Sequence, residues 1–219
     1  MWYVLQHAEW EGPGIIAEAL AAHAIRFEIV RLDRGAAVPK ASNLDGLVVM
    51  GGPMGVYEAA DYPFLAAEQK LIASCVAGGR AVLGVCLGAQ LLAAALGAPV
   101  IKGPQMEAGE GSVVLTGSGR QDPVLGGGKG ELPVVHWHQD TFPLPQEATL
   151  LACSRLYEQQ AFRLARTVYG LQFHLELSRE QADDWRNRGL TITREYEQRV
   201  RAVGERVFDN FIHLAVAGG

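Results

Sequence analysis

The chain has few cysteines and no excess of positive charge. Its 219 residues include three cysteines, Cys75, Cys86 and Cys153, an odd number that is too widely spaced for a disulfide framework. Reduced thiols of this kind predict a cytoplasmic protein. Lysine and arginine number 19 against 24 acidic residues, a net charge of −5, so the cations that would neutralise nucleic-acid phosphates are lacking. We therefore expect no nucleic-acid partner.

Targeting and membrane segments are also lacking. No basic segment followed by a long apolar run opens the chain, so no signal peptide is predicted. The apolar stretch from Ala81 to Ile101 reaches the length of a transmembrane helix. It is interrupted by Gly84, Gly88, Gly97 and Pro99. We expect a buried strand followed by a buried helix there, and no membrane partner.

The composition is that of one folded domain. Hydrophobic residues make up 49% and charged residues 20% of the chain, which is typical of globular proteins, and the length fits a single domain over residues 1–219. Apolar, β-rich runs predict strands at Trp2–Gln6, Arg26–Arg31, Leu47–Met50, Ala81–Val85, Ser112–Leu115 and Thr167–Phe173. Helical patterns predict helices at Ile15–Ala24, Phe64–Ala77, Leu87–Leu96, Arg179–Arg188 and Arg194–Ala217.

Strands and helices alternate in the first half of this pattern. Such alternation predicts an α/β fold with a mostly parallel central sheet and helices on both faces. The segment from Gly103 to Pro145 is rich in glycine and proline and has no helical period. We expect short strands and loops in that segment.

The strongest chemical signal is a cysteine between two glycines, where a predicted strand meets a predicted helix. In the segment Gly84-Val85-Cys86-Leu87-Gly88, the glycines relieve crowding around a nucleophile held in a strained turn. The sulfur also lies at a helix N-terminus, where the helix dipole favours the thiolate. We predict that Cys86 is a nucleophile, whereas Cys75 and Cys153 fit inert cysteines.

A histidine and a glutamate stand two residues apart in the run that contains the last predicted strand. Residues i and i+2 of an extended segment point to the same side, so His174 and Glu176 project together while Phe173 and Leu175 face the core. The carboxylate can then hold the imidazole in one tautomer and stabilise its charged form. Such a pair supplies the base and the orienting group that a thiol nucleophile needs.

A glycine-rich turn, Gly51-Gly52-Pro53, follows the predicted strand Leu47–Met50. Glycines at the end of a strand allow backbone N–H groups to approach a ligand closely, and acyl transfer needs two such donors aimed at the developing oxyanion. The N–H groups of Gly52 and Leu87 are the predicted donors, because Pro53 has no N–H.

These three segments, in this order, resemble the class I glutamine amidotransferase family with its Cys-His-Glu triad. The resemblance rests on Gly-Gly-Pro at 51–53, Gly-Val-Cys-Leu-Gly-Ala-Gln at 84–90 and Gln-Phe-His-Leu-Glu at 172–176. It implies a flavodoxin-like α/β core and hydrolysis of the γ-amide of glutamine through a γ-glutamyl thioester, with release of ammonia. In the family's pattern Cys86 is the nucleophile, His174 is the general base and acid, and Glu176 orients it.

The resemblance also implies substrate contacts and partners. Gln90 lies on the first turn after the elbow, where the family contacts its substrate. The run His138-Gln139-Asp140 resembles the family's His-Gly-Asp substrate loop, with Gln139 in place of glycine. The nearest subgroup comprises stand-alone proteins similar to the amidotransferase half of GMP synthase, because the chain ends too soon after the triad for a fused synthetase domain. The expected partners are glutamine or another γ-glutamyl small molecule and, for the ammonia, a separate synthetase.

Two alternative functions use the same cysteine. Some relatives in this subgroup are γ-glutamyl peptidases, which form the same thioester on γ-glutamyl compounds. Flavodoxin-like proteins with an elbow cysteine also include redox sensors, which would oxidise at Cys86 without turning over an amide. A sensor has no need of a base or an orienting group, so His174 and Glu176 favour an enzyme.

Two further motifs match cofactor sites incompletely, and we expect neither a cofactor nor a metal. The run from Gly12 to Ala17 fits a dinucleotide-binding pattern, but five residues separate it from the strand and Pro13 removes a donor, so a helix start is expected. His136, His138 and Asp140 match part of a metal-hydrolase pattern, but the run supplies too few ligands for a metal site.

Overall fold

Nine strands of the described residues form one mixed sheet in the computed structural model, which describes residues 1–128 and 130–217. The single-domain prediction also covers Lys129, Gly218 and Gly219, which lie outside the described residues. In chain order the strands are β1 (Trp2–Gln6), β2 (Phe27–Arg31), β3 (Gly46–Val49), β4 (Ala81–Val85), β5 (Ile101–Leu115), β6 (Glu131–Thr141), β7 (Thr149–Cys153), β8 (Ala161–Leu164) and β9 (Val168–Leu171). Across the sheet the order is β2-β1-β3-β4-β9-β8-β7-β5-β6.

Helices cover both faces of this sheet. They are α1 (Gly14–Ala22), α2 (Phe64–Ala77), α3 (Leu87–Ala95), α4 (Gly117–Gln121), α5 (Arg179–Asn187) and α6 (Arg194–Val216). Helices α1 and α6 pack together on one face, and α2 and α3 pack together on the other. Strand side chains alternate between the two hydrophobic clusters, as Val48 and Val49 of β3 do. The predicted α/β fold with helices on both faces is confirmed.

The expectation of short strands between Gly103 and Pro145 is wrong, although loops do lie in this segment. This region forms a long antiparallel hairpin of β5 and β6, and β5 alone has 15 residues. Most side chains of β5 are exposed, and glycines and a proline lower its strand propensity. Pairing with β6 and β7, rather than any local pattern, makes this segment a strand.

Five strands, β2, β1, β3, β4 and β9, run parallel to one another. Their carboxyl ends meet at one edge of the sheet, which is where open α/β sheets bind ligands. Cys86 follows β4 at that edge, and the Gly51-Gly52 turn follows β3. His174 and the loop of residues 7–13 follow β9 and β1. The sheet therefore gathers the segments that the sequence singled out.

The apolar stretch from Ala81 to Ile101 forms β4 and α3, as predicted, and ends at the first residue of β5. Among the helices of the described residues, none combines the length and apolar composition that crossing a bilayer requires.

Candidate active site

Cys86 lies on a strained elbow between β4 and α3. Its φ of 51° and ψ of −109° lie outside the regions that L-residues prefer. The flanking glycines permit this turn. A Cβ at Gly84 would collide with the carbonyl of Gly88, and a Cβ at Gly88 would collide with the carbonyl of Val49. The predicted strand–elbow–helix geometry around this cysteine is confirmed.

The resting thiol is buried beside Trp137. Cys86 is 6% exposed, and its Sγ lies 3.8 Å from the carbonyl oxygen of Trp137, to which it donates. Burial raises the pKa of the Cys86 thiol, and His174 only partly opposes that rise. Desolvation therefore disfavours the thiolate in the resting state, and the stabilisation of the thiolate by the helix N-terminus stays a prediction. A base must take the proton before the sulfur can attack.

The imidazole of His174 is held from one side by Glu176. Nδ1 of His174 lies 2.7 Å from Oε1 of Glu176, and both side chains are fully buried. The second oxygen of Glu176 accepts from the backbone N–H of Leu175 at 3.0 Å. Burial lowers the pKa of His174, but Glu176 and Cys86 raise it more, so the net pKa lies well above its usual range. The predicted common direction of His174 and Glu176 is confirmed.

The other nitrogen of His174, Nε2, has no hydrogen-bond partner of standard geometry among the described residues. Trp185 of α5 packs its indole against the imidazole, with 4.7 Å between ring centroids at 87°. The backbone of His174 also bridges to Val135 of β6 through hydrogen bonds of 2.8 and 3.1 Å. The ring is thus fixed on three sides, and its free nitrogen is available to a proton donor.

The Gly51-Gly52 turn is held in place by the imidazole of His7. His7 donates from Nδ1 to the carbonyl of Gly51 at 3.0 Å and from Nε2 to Glu68 at 2.9 Å. Burial lowers the pKa of His7, but Glu68, the carbonyl of Gly51 and Glu11 together raise it more, which favours the doubly protonated ring that two donations require. Since C=O and N–H point oppositely in a trans peptide, this bond also fixes the N–H of Gly52.

The two predicted oxyanion donors are neighbours. A Cβ at Gly52 would lie 2.9 Å from Cδ2 of Leu87. Among the hydrogen bonds that the described residues form outside helices and strands, none uses the N–H of Gly52 or of Leu87. Both donors are therefore free to bind an oxyanion.

A cavity of about 490 Å³ opens above the sulfur. It is lined by Trp10, Glu11, Gly52, Pro53, Met54, Gly55, Tyr57, Glu58, Cys86, Gln90, Lys102, Met106, Trp137, His138, Gln139, Asp140 and Arg188. All four predicted substrate-binding residues are therefore in its wall. His174 and Glu176 lie beneath this wall with no exposed surface.

The hydrogen bonds of these wall residues fix their side chains. Gln90 donates to Gln172 at 3.2 Å, and Gln139 donates to the carbonyl of Gly103 at 2.9 Å. Nδ1 of His138 lies 3.2 Å from the carbonyl oxygen of Asp140.

Glu107 is a residue of this region that the sequence reasoning missed. Its Oε2 lies 3.1 Å from Nε2 of His138 and 3.6 Å from Nδ1 of His136. It also accepts hydrogen bonds from Ser154 at 2.8 Å and Gln160 at 2.6 Å. Burial lowers the pKa of His136 to about 4 despite Glu107, so this ring is neutral near pH 7. The network ties β5 and β6 to the loop between β7 and β8.

Two groups of side chains in the described chain bring potential metal-ligand atoms within 4.8 Å of one another. One is Glu107, His136 and His138, and the other is Glu11, His174 and Glu176. In the first group Glu107, rather than Asp140, is the carboxylate that stands with His136 and His138. The second group contains the hydrogen-bonded His174–Glu176 pair.

Glu11, in the loop between β1 and α1, was also missed. It is buried and lines the cavity beside Cys86. Burial raises the pKa of Glu11 to about 7, while His174 opposes this rise. The only sequence signal for it was its position just after a parallel strand, where sites form.

The run from Gly12 to Ala17 starts a helix, as expected, rather than a dinucleotide site. Helix α1 begins at Gly14, whose φ is 42°. A Cβ at Gly14 would collide with the carbonyl of Glu176, and Ile15 donates to that same carbonyl at 2.8 Å. The segment after β9 therefore occupies the space where a pyrophosphate would bind the helix N-terminus.

Comparison with known proteins shows that this chain is similar to glutamine amidotransferases and to a subunit of a glutamine-hydrolysing enzyme. A family model described as glutamine amidotransferase class-I matches residues 14–186. The chain is 35% identical over 181 residues to the glutamine amidotransferase-like protein YfeJ of Salmonella typhimurium, covering 81% of this chain and 76% of that protein. It is 34% identical over 140 residues to one subunit of the glutamine-hydrolysing GMP synthase of Thermoplasma acidophilum, covering 63% of this chain and 66% of that relative.

A solved structure of a glutamine amidotransferase from Methylobacillus flagellatus has the same architecture. It matches with a TM-score of 0.88 at 27% identity and covers 97% of this chain and 94% of that chain. The flavodoxin-like fold is thereby confirmed.

Proposed function

The chain belongs to the class I glutamine amidotransferase family, and we propose that it hydrolyses the γ-amide of glutamine through a thioester on Cys86 and releases ammonia. One observation carries the proposal. A buried thiol on a strained elbow shares a site with a His174–Glu176 pair at 2.7 Å and with two free backbone donors. Acyl transfer needs this combination of nucleophile, oriented base and oxyanion donors.

In the proposed mechanism, the thiol of Cys86 gives its proton to Nε2 of His174. Glu176 at Nδ1 stabilises the imidazolium that forms. The sulfur attacks the γ-carbonyl carbon, and the N–H groups of Gly52 and Leu87 bind the oxyanion. The imidazolium then protonates the amide nitrogen, the C–N bond breaks, and ammonia leaves. Water, activated by His174, hydrolyses the thioester to glutamate.

The wall of the cavity offers groups for the amino-acid end of the substrate. Asp140 supplies a carboxylate for the α-ammonium group, and the amides of Gln90 and Gln139 supply donors for the α-carboxylate. We propose these three with His138 as the substrate-binding residues. The hydrogen bonds of Gln90 and Gln139 within the protein hold their side chains in place before substrate arrives.

A second candidate is a γ-glutamyl peptidase, and the cavity volume favours it. A space of about 490 Å³ lies within the range of sites for drug-sized ligands, which leaves room beyond the scissile bond for a larger amine than ammonia. The thioester chemistry and the residues above are the same for both substrates.

A partner enzyme and a cytoplasmic location complete the proposal. One relative is a single subunit of a GMP synthase, which supports transfer of ammonia to a separate synthetase. A mechanism that needs Cys86 as a free thiol fits a reducing compartment.

The test is release of ammonia or amine from glutamine and from γ-glutamyl dipeptides. We expect turnover by the wild type and a loss of about 10⁴–10⁶-fold in kcat in a folded Cys86→Ala variant. Cys153→Ala, outside the cavity, is the matched control and should keep full activity. A preference of about 100-fold in kcat/KM for dipeptides, or about 2.7 kcal/mol, would select the peptidase. Oxidation at Cys86 without turnover of any substrate would indicate a redox sensor instead.

A further inference from the structure

Glu11 carries a buried carboxylate oxygen to which no group of the described residues donates a hydrogen bond. The residue is 5% exposed and lines the cavity with Cys86. Among the described residues, its Oε2 has no hydrogen-bond partner. A buried polar atom without a partner is costly, and a ligand bound in the cavity that Glu11 lines can supply the missing partner.

The carboxylate lies beside the imidazole of His174. A Cβ at Gly51 would collide with Oε2 of Glu11 and would lie 3.3 Å from Cε1 of His174. Oxygen atoms of Glu11 and Glu176 and a ring nitrogen of His174 all fall within 4.8 Å of one another. Glu176 occupies Nδ1 of His174, and Glu11 lines the same cavity as Cys86, into which a group released from the substrate departs.

The loop that bears Glu11 is fastened to the segments around His174. Trp185, which packs on the imidazole, donates from Nε1 to the carbonyl of Trp10 at 2.8 Å. Gln181 donates to the carbonyl of Gly12 at 2.7 Å. Hydrogen bonds on both sides of Glu11 therefore hold the backbone that carries it in place before the reaction, and a preorganised electrostatic site requires such a fixed scaffold.

We propose that Glu11 forms a subsite for the leaving amine, whose N–H groups donate to its free oxygen as the C–N bond breaks. This inference rests on the proposed function. The proton on the amide nitrogen comes from the His174 imidazolium, the bonding pair stays with nitrogen, and Glu11 undergoes no covalent change. The ligand class is ammonia or a primary amine.

The subsite distinguishes amides from esters. Departing ammonia carries N–H donors for Glu11, whereas the methanol released from glutamate γ-methyl ester has far less need of a charged acceptor. Both substrates form the same thioester on Cys86 and yield glutamate. A substitution that weakens only the contacts to the leaving group therefore slows the amide reaction selectively. A substitution that damages the structure in general slows both reactions.

The test compares kcat/KM for glutamine and glutamate γ-methyl ester by measuring glutamate. We expect Glu11→Gln to lower kcat/KM for glutamine by about 10–100-fold, the effect of one charge-assisted hydrogen bond, and to lower that for the ester by less than about threefold. Glu11→Asp keeps the charge and should hold the amide-to-ester ratio within about threefold of the wild type. If Glu11→Gln does not fold, the amide-to-ester ratio of Glu11→Asp becomes the test. A tenfold change in that ratio would contradict the subsite.

Glu9→Gln is the matched control, because Glu9 lies on the same loop and pairs with Arg34 at 3.2 Å on the surface. It should leave both rates unchanged. Equal losses on amide and ester in Glu11→Gln, or no loss on either, would overturn the subsite while the proposed function stands. A wild type that hydrolyses neither substrate would overturn the proposed function and the subsite together.

Discussion

Burial acts on two acidic groups of the candidate site in the same direction. It raises the pKa of the Cys86 thiol and the pKa of the Glu11 carboxyl, because a desolvated group disfavours its charged form. His174 opposes both shifts. The imidazole is therefore the group on which the charges of the site depend, and the residue that orients it is the most informative one to change.

Glu176→Gln tests that dependence. The amide keeps the shape of the side chain but removes the charge that stabilises the imidazolium, so we expect kcat to fall by about 10²–10⁴-fold with little change in KM. Steady-state kinetics on glutamine measures this. Glu180→Gln changes an exposed residue of α5. It is the control and should leave kcat and KM unchanged. A rise in KM alone would make Glu176 a substrate-binding residue.

Glu11→Gln should also alter stability in a pH-dependent way. The pKa of Glu11 rises from 4.5 to about 7 in the folded protein, so the native state keeps a proton that the unfolded chain releases between those values. The contribution of Glu11 to the free energy of unfolding is therefore complete below about pH 4.5. It falls by about 3 kcal/mol in all as the pH rises to about 7. The variant should be more stable than the wild type at pH 8 and similar to it at pH 4.

Urea denaturation at several pH values measures this difference between variant and wild type. The groups facing Glu11, namely His7, His174, Glu176 and Arg188, are present in both proteins, so their shared titrations largely cancel. A difference that stays constant from pH 4 to pH 8 would refute the assigned shift.

At the scale of elements, the position of the His174 segment depends on how closely a helix approaches it. Gly204 of α6 packs against the carbonyl of Leu175, which lies between His174 and Glu176. A Cβ at Gly204 would collide with that carbonyl oxygen. Helix α6 therefore supports the candidate site from below, although none of its residues lines the cavity.

Gly204→Ala should therefore impair both stability and catalysis. Alanine favours a helix by about 1 kcal/mol over glycine, but the backbone collision should outweigh this gain and destabilise the fold by about 1–3 kcal/mol. Displacement of His174 should lower kcat as well. Urea denaturation and kinetics measure the two effects. Gly117→Ala in α4, where a Cβ would meet nothing within 4 Å, should be near neutral. A stabilised, fully active Gly204→Ala would contradict this packing.

At the scale of the whole molecule, one sheet links all parts of the described chain. The hydrophobic clusters on its two faces share the strands β1, β3 and β4 through alternating side chains. The long β5–β6 hairpin joins the same sheet through β7, and β6 bridges to His174. The parts of the fold are therefore coupled through shared strands.

We expect a single cooperative unfolding transition, as the predicted single domain over residues 1–219 requires. Calorimetric and van't Hoff enthalpies should agree, and tryptophan fluorescence and circular dichroism should report one midpoint. Trp137 on β6 and Trp2 on β1 lie in distant parts of the sheet, so fluorescence samples both. Two separate midpoints would instead show that the antiparallel half unfolds as its own unit.

The sequence alone determined the parallel half of the sheet and the elbow. Buried parallel strands are continuous apolar runs, and their helices are amphipathic or apolar segments of matching length, so local periodicity is sufficient to find them. The glycines around Cys86 and the spacing of His174 and Glu176 are likewise local features. Each of these was predicted within a few residues of its place in the structure.

Only the tertiary structure decided the antiparallel half and the full set of groups in and behind the wall of the cavity. Strand β5 is mostly exposed and contains glycines and a proline, so its conformation comes from partners distant in sequence. Glu11 and Glu107 have no motif around them. They join the site because the carboxyl ends of the parallel strands and the β5–β6 hairpin converge there, and convergence depends on long-range packing that local sequence patterns do not contain.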